Sequence, residues 1–270
     1  MKVTSYLNLN FGEDVPFVDR VDLAASAGVD GIEFYGWDLG TESIPSATFE
    51  FRAPEFDPDE VVERINTHDL ELVYMSGDRP ALTDPDQADA AVRSLERSVE
   101  LAEEYDCGAV NVKTGPVQQG IGRERQRQNI IEVLQRAAPA IEATSVTVVL
   151  EPLNALDAPD HFIHTAEEGY AILDAVDSPS IRLLFDFYHE QLGRGNLINN
   201  VREHLGEYAA HVHVADPPAR GQPGTGEINW EHVFAAIAET EYDGYIGGEF
   251  IPQGDPVAAL EGLAELAARF

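Results

Sequence analysis

The sequence predicts an α/β protein whose parallel strands close into a single (β/α)8 barrel, the TIM-barrel architecture. Eight short apolar runs alternate with longer segments of helical periodicity, a pattern typical of parallel sheets covered by helices. The length of 270 residues suits eight such units. No Gly-rich G-x-G-x-x-G turn follows the first run, which disfavours the main alternative, a doubly wound open sheet.

The predicted strands are short and mostly rich in β-branched or aromatic residues. They cover residues 3–9, 31–35, 70–75, 109–112, 146–150, 181–185, 210–214 and 245–250. Apolar residues at helical spacing predict helices over residues 16–27, 86–105, 124–143, 165–175 and 230–240. Asp84 and Thr165 stand where two of these helices begin and offer a side-chain oxygen as N-cap. No linker or low-complexity tract divides the chain, so we expect one domain over residues 1–270.

The composition is strongly acidic. The chain has 49 Asp and Glu residues against 17 Lys and Arg, which gives a formal net charge of −32. Such a charge repels nucleic-acid phosphates and anionic lipid surfaces in ordinary buffer. The only lysines are Lys2 and Lys113. Few lysines and many carboxylates predict a halophilic protein, because high salt screens the self-repulsion. An acidic protein of an ordinary cell is the alternative.

We expect a cytoplasmic protein that acts on a small molecule. No apolar run approaches the roughly 20 residues of a membrane span, and the first residues lack a signal-peptide pattern. Cys107 is the single cysteine, so no intramolecular disulfide is expected. Neither nucleic acid nor a membrane is expected as a partner, and a homo-oligomer is left open.

Polar side chains follow four neighbouring strands of the predicted barrel. Glu151 and Asp186 come directly after the fifth and sixth runs, and His213 and Glu249 lie near the ends of the seventh and eighth. The active site of a barrel sits at the carboxyl ends of its strands, so these four side chains should converge. Each alone fits a helix cap, a loop residue or a core histidine, but the four together indicate one site.

Two Glu, one Asp and one His form an oxygen-rich donor set, which suits divalent Mn²⁺, Mg²⁺ or Co²⁺. A structural zinc would prefer thiolates, which the lone Cys107 cannot supply. We choose His213 over His211 as ligand because it is nearer the catalytic end of the strand. His211 points to the same side one layer deeper and is predicted to be a packed core histidine. Such a metal polarises a carbonyl while carboxylates move a proton on carbon, which indicates isomerisation or epimerisation.

Six segments carry a resemblance to a known family. They are DVPFVDR (14–20), GVDGIEFYG (28–36), VVLEPLN (148–154), LLFDFYHEQ (183–191), GNLINNVREHLGEYAAHVHVADPPARGQPGTGEINW (195–230) and YDGYIGGEF (242–250). Together they resemble the xylose isomerase-like barrel superfamily of sugar isomerases and epimerases, and within it most closely the hydroxypyruvate isomerases. The combination of GNL, a P-x-R segment before PGTGEINW, and the closing Gly-Gly-Glu is fairly specific, whereas EPLN occurs across the superfamily.

The resemblance implies roles for several residues. The implied metal ligands are Glu151, Asp186, His213 and Glu249, of which Glu151 and Glu249 also act as the acid/base pair, and the implied substrate-binding residues are His189 and Arg220. The implied reaction interconverts hydroxypyruvate and tartronate semialdehyde through an enediolate. Hydroxypyruvate isomerases typically have Gln where His213 stands, whereas ketose 3-epimerases have His. A ketose 3-epimerase, or another sugar isomerase or epimerase, is therefore the alternative.

The positions of two cationic side chains give evidence about the substrate that does not depend on the resemblance. Hydroxypyruvate carries a carboxylate, and a site for it needs a positive charge. Lys113 ends the fourth predicted strand, and Arg220 lies in a loop over the same face. The alternative for Lys113 is a structural ion pair, and a neutral ketose would need hydroxyl-binding groups more than cations.

Three other classes share parts of this pattern. DNA-repair endonucleases of the superfamily use three zinc ions and extra histidines at strands three and four, where this chain offers Ser76 and Lys113. A sugar-derivative dehydratase shares the metal constellation and would release water. A non-enzymatic barrel would bind no divalent metal.

Overall fold

The strands of the computed structural model, which describes residues 1–35, 56–77 and 79–270, form a closed parallel barrel. Each strand pairs with the next in sequence, and the eighth pairs with the first. The strands are β1 (Lys2–Tyr6), β2 (Gly31–Tyr35), β3 (Glu71–Ser76), β4 (Ala109–Val112), β5 (Thr147–Leu150), β6 (Ile181–Asp186), β7 (Ala209–His213) and β8 (Tyr245–Gly248). The predicted (β/α)8 fold is confirmed. Gly36, the last residue of the GVDGIEFYG segment, lies outside the described residues.

Helices connect the strands. In the described parts of the chain they are α1 (Leu7–Asn10), α2 (Asp19–Ser26), α3 (Pro58–Thr67), α4 (Ala88–Glu104), α5 (Arg123–Glu142), α6 (Ala166–Val176), α7 (Phe187–Gly193), α8 (Leu197–Asn200), α9 (Gly206–Tyr208), α10 (Trp230–Ala238) and α11 (Pro256–Ala267). A 3-10 turn, Pro85–Gln87, leads into α4, and a π-helical stretch, Val201–Leu205, joins α8 to α9. None of these helices is long and apolar enough to cross a bilayer.

The five predicted helices are present with ends close to those expected, and their predicted caps are confirmed. Thr165 accepts a hydrogen bond from the backbone N–H of Glu168, and Asp84 accepts one at the turn before α4. Helices α3 and α11 are absent from the sequence predictions. Each begins with an Asp-Pro pair whose aspartate, Asp57 or Asp255, is the N-cap, a signal that could have located them.

The first and last predicted strands are too long. Residues 7–9 belong to α1, because Asn10 turns the chain back over the end of β1. Its side chain accepts a hydrogen bond from Ser5 Oγ at 2.8 Å and donates one to the carbonyl of Gly248 at 2.8 Å. At the other end, β8 stops at Gly248, where the Glu249 N–H bonds back to the carbonyl of Gly247 at 3.0 Å. That turn aims Glu249 at the barrel mouth.

Apolar side chains pack in two layers. The larger core lies between strands and helices and includes Leu150, Leu183 and Ile246, all fully buried. A smaller cluster that includes Tyr6 and Tyr74 packs separately from it. The two cores make the barrel a rigid frame for the side chains at its carboxyl-terminal mouth.

Candidate functional site

Four predicted side chains meet at the mouth of the barrel. Glu151 directly follows β5, and Glu249 directly follows β8. Asp186 and His213 are the last residues of β6 and β7. All four are buried, and Glu249 is the most exposed at 9%. One donor atom from each lies within 4.8 Å of the others. The structure therefore brings together the four residues predicted to bind metal.

These donors fit a divalent cation. Three buried carboxylates this close repel one another unless positive charge lies between them. Asp186 Oδ2 and His213 Nδ1 are buried without a hydrogen-bond partner among the described residues. His213 Nδ1 lies 3.2 Å from Glu249 Oε2 without the alignment of a hydrogen bond. Unpaired oxygen and nitrogen donors facing one point are what a hard or borderline divalent ion requires.

The two carboxylate oxygens of Asp186 have different surroundings. Oδ1 caps α7 by accepting the N–H groups of Tyr188 and His189 at 2.8 and 3.3 Å. Oδ2 is left to face the site. Burial and the nearby charge of Glu249 raise the pKa of Asp186 above its usual range. A cation beside Asp186 would reverse that shift, because it favours the ionised form.

Arg220 supplies positive charge at the same point. Its Nη2 donates to Glu249 Oε2 and lies 3.7 Å from Asp186 Oδ2, and its guanidinium stacks over the ring of Tyr188. Burial opposes ionisation of Glu249, but Arg220 and His213 outweigh it and hold the pKa of Glu249 well below its usual range. Glu249 is therefore an ionised carboxylate, as a proton acceptor must be.

His189, predicted to bind substrate, lies beside the donor set. Its Nδ1 accepts the backbone N–H of Asn154 at 3.1 Å, so the proton of the neutral ring is on Nε2. Nε2 lies 3.6 Å from Asp186 Oδ2. Burial, reinforced by Arg220, lowers the pKa of His189 well below its usual value. His189 is thus a neutral N–H donor at the mouth of the barrel.

Lys113 lies on the other side of the donor set. Its Nζ is 3.7 Å from Glu151 Oε2, and its side chain is 41% exposed. Asn111, on β4, donates to the same Glu151 oxygen at 2.9 Å. The pairing with Glu151 agrees with the structural alternative for Lys113, while the exposed ammonium retains donors for a further anion.

Two residues of this region escaped the sequence predictions as site residues, Asn111 and Glu33. Glu33 is on β2 and accepts from His213 at 2.8 Å, and it lies 3.1 Å from His211. Burial opposes its ionisation, but the two imidazoles lower the pKa of Glu33 to about 2. His211 stacks on Tyr74 with centroids 5.3 Å apart and is packed in the core as predicted, but its Nε2 makes no hydrogen bond with the described residues. A carboxylate inside the otherwise apolar GIEFY strand was the available signal for Glu33.

The loop after β7 is organised by a buried carboxylate. Asp216 accepts the N–H groups of Gly224 at 2.9 Å and Ile228 at 3.1 Å. Gly226 passes so close that a Cβ there would lie 1.9 Å from the carbonyl oxygen of Pro217. In the PGTGEINW segment, close packing around Asp216 requires glycine at position 226, whereas Gly224 has a φ of 94° that favours glycine. This loop holds Arg220 over the site.

We expect Asp216→Ala to lower the free energy of unfolding by about 1–3 kcal/mol, because the buried N–H of Ile228 and the partly buried N–H of Gly224 lose their acceptor. Arg220 should lose its fixed position with the loop. Urea unfolding followed by circular dichroism measures the first effect. Asp243→Ala, at an exposed position, is the control. Unchanged unfolding of Asp216→Ala would contradict the role given to this carboxylate.

Fold and site define a (β/α)8-barrel protein with a buried carboxylate–imidazole donor set at its catalytic face. The family model described as Xylose isomerase-like TIM barrel matches residues 21–269. The chain belongs to this family, as the resemblance of its motifs predicts.

The names of similar proteins indicate the same enzyme class that the sequence predicts. A 2-oxo-tetronate isomerase of Pectobacterium atrosepticum is 28% identical over 249 residues, which cover 89% of this chain and 88% of that protein. A putative hydroxypyruvate isomerase of Danio rerio is 30% identical over 97% of this chain and 94% of that protein. A solved AP endonuclease, family 2, from Brucella melitensis has a TM-score of 0.84 at 25% identity and covers 98% of this chain and 99% of its own. The isomerase names agree with the predicted enzyme class.

Proposed function

We propose that the chain is a divalent-metal-dependent isomerase of small α-hydroxycarbonyl acids, which interconverts hydroxypyruvate and tartronate semialdehyde. The convergence of Glu151, Asp186, His213 and Glu249 on one point carries the proposal. The isomerase names of the relatives support the reaction class. Mn²⁺, Mg²⁺ and Co²⁺ suit the donor set equally, so the proposal covers all three.

The mechanism assigns each side chain a task. Bound by the four donors, the ion would polarise the substrate carbonyl and orient the adjacent hydroxyl. The ionised Glu249 removes the proton from the hydroxyl-bearing carbon, and the electron pair moves to give an enediolate. The hydroxyl proton passes to the oxygen of the former carbonyl as the new aldehyde forms, and the proton taken from carbon returns to the former carbonyl carbon. Glu151 is the second acid/base group, and His189 donates its Nε2–H to a substrate oxygen.

We assign the substrate carboxylate to Lys113 and Arg220. They follow β4 and β7, so they flank the donor set from opposite parts of the ring. Both lie within 4 Å of site carboxylates, Lys113 at Glu151 and Arg220 at Glu249 and Asp186. The exposed Lys113 ammonium is the better placed to meet an entering anion.

Replacing Lys113 separates anionic from neutral substrates. We expect Lys113→Met to raise KM for hydroxypyruvate by about 10–100-fold, because a charge-assisted hydrogen bond is worth about 1.5–3 kcal/mol. A neutral ketose should show no such rise. Steady-state kinetics on both substrates measure the difference, with Lys2→Met, at the opposite end of the barrel, as control. Equal effects on both substrates would give Lys113 a structural role only.

An exchange assay tests the function itself. The purified protein is given Mn²⁺, Mg²⁺ or Co²⁺ in high salt with hydroxypyruvate, 2-oxo-tetronate or a panel of ketoses in D₂O. We expect deuterium at the former carbonyl carbon of hydroxypyruvate and formation of tartronate semialdehyde. Release of water would identify a dehydratase instead. No exchange on any compound would overturn the isomerase proposal.

A ketose 3-epimerase is the second candidate, because the ligand set contains His213 and two glutamates. In an epimerase, one glutamate removes a proton and the other returns it to the opposite face of the same carbon. The assay would show this as inversion at C3 of a ketose. A DNA-repair endonuclease finds less support, since Ser76 and Lys113 occupy the ends of β3 and β4 where that class has histidines.

A further inference from the structure

Glu33 is a buried carboxylate to which the proposed mechanism gives no task. Its side chain is fully buried within the barrel. Oε2 lies 2.8 Å from His213 Nε2, and Oε1 lies 3.1 Å from His211 Nε2. Thr4, on β1, also donates its hydroxyl to Oε1. A buried carboxylate that accepts hydrogen bonds from His213 and Thr4 is a fixed acceptor rather than a free base.

The contact between Glu33 and His213 crosses the barrel. β2 and β7 are not neighbours in the sheet, because β1 and β8 lie between them. The space for the contact comes from Gly247 on β8. A Cβ at Gly247 would lie 2.5 Å from Glu33 Oε1 and 2.6 Å from His213 Cδ2. The contact between Glu33 and His213 therefore requires glycine at position 247.

The pair determines which nitrogen of His213 faces the donor set. Nε2 donates a hydrogen bond to Glu33, so Nδ1, on the Glu249 side, is the ring nitrogen that can give a lone pair to a metal ion. Tyr74 and Tyr6 pack edge-on against the ring, at centroid distances of 5.3 and 5.8 Å. Hydrogen bond and packing together leave the ring one orientation.

We infer that Glu33 is a positioning residue, which holds His213 as the Nε2–H tautomer with Nδ1 directed at the proposed metal. The inference rests on the proposed function, because it requires that the four donors bind a divalent ion. Carboxylate partners of this kind orient ligating histidines and increase their basicity as ligands. In this role Glu33 acts through His213.

The test measures Mn²⁺ affinity by calorimetry. We expect Glu33→Ala and Glu33→Gln to weaken Mn²⁺ binding by about 10–100-fold, the usual loss when an outer partner of a ligand is removed. An alanine leaves His213 Nε2 without its acceptor, and a glutamine has one acceptor oxygen for the two donors, His213 and Thr4. The control is His211→Gln, which changes another polar neighbour of Glu33, 3.1 Å from its Oε1, leaves the Glu33–His213 contact in place and should bind Mn²⁺ as the wild type does.

A second readout separates positioning from stability. Nitrogen-15 spectra of the Mg²⁺-loaded wild type should show His213 protonated at Nε2 and unprotonated at Nδ1. If Glu33→Ala does not fold by circular dichroism, Glu33→Gln alone decides. Wild-type Mn²⁺ affinity in the folded variants would overturn the inference and leave the proposed function standing. A wild-type chain that binds no Mn²⁺ would overturn both.

Discussion

Glu249→Gln is expected to lower kcat by about 10²–10⁴-fold, the usual contribution of a general acid or base. Glu249 is the ionised carboxylate that Arg220 and His213 surround, and an amide can neither accept a proton from carbon nor supply a charged donor to a cation. Turnover of hydroxypyruvate, followed as tartronate semialdehyde formation, measures the loss.

The fold should survive this substitution. A glutamine oxygen still accepts from Arg220, and the change removes one of three mutually repelling carboxylates. The ion pairs of Glu249 with Arg220 and His213 are lost, so we expect a modest fall in the thermal unfolding midpoint with the folded state retained. Glu261→Gln, at an exposed position on α11, is the matched control and should keep full turnover. Normal activity of Glu249→Gln would remove this residue from the mechanism.

Removal of divalent metal is expected to abolish turnover, and Mn²⁺, Mg²⁺ or Co²⁺ should restore it. Buried Asp186 Oδ2 and His213 Nδ1 have no hydrogen-bond partner among the described residues, so the ion would satisfy both. Binding to the folded state alone also stabilises it, by about 2.7 kcal/mol at a metal concentration 100 times Kd. This corresponds to a rise in Tm of roughly 5–10 °C for a chain of this size.

Asp186→Asn separates metal binding from folding. Asparagine is as good an N-cap as aspartate, so α7 keeps its acceptor for the N–H groups of Tyr188 and His189. The charge toward the site is lost, and the metal-dependent rise in Tm should disappear. Elemental analysis verifies that chelation has removed the metal from the wild type. Full turnover of that metal-free protein would contradict metal dependence.

Much of the site follows from local sequence. Glu151 and Asp186 were identifiable because each directly follows or ends an apolar run, and parallel strands must end at one face. The two-residue period of a strand put His211 and His213 on the same side, and His213 was chosen because it is nearer the catalytic end. The structure places His211 deeper, stacked on Tyr74.

Element ends were less predictable. Apolar residues at positions 7 and 9 fit a strand as well as a buried helix, and the decision depends on Asn10 bonding to the carbonyls of Gly248 and Phe250. Those partners lie about 240 residues away in sequence. No local pattern contains that information.

The sequence by itself determined the barrel, its family and the four donors at its mouth, because these depend on periodicity and on residues adjacent to strands. Only the tertiary structure decided how the donors are held. Glu33 meets His213 across two intervening strands through the space at Gly247, and Arg220 reaches Glu249 from a loop that Asp216 organises. Such contacts depend on strand register and barrel closure, which bring together residues that no sequence spacing relates.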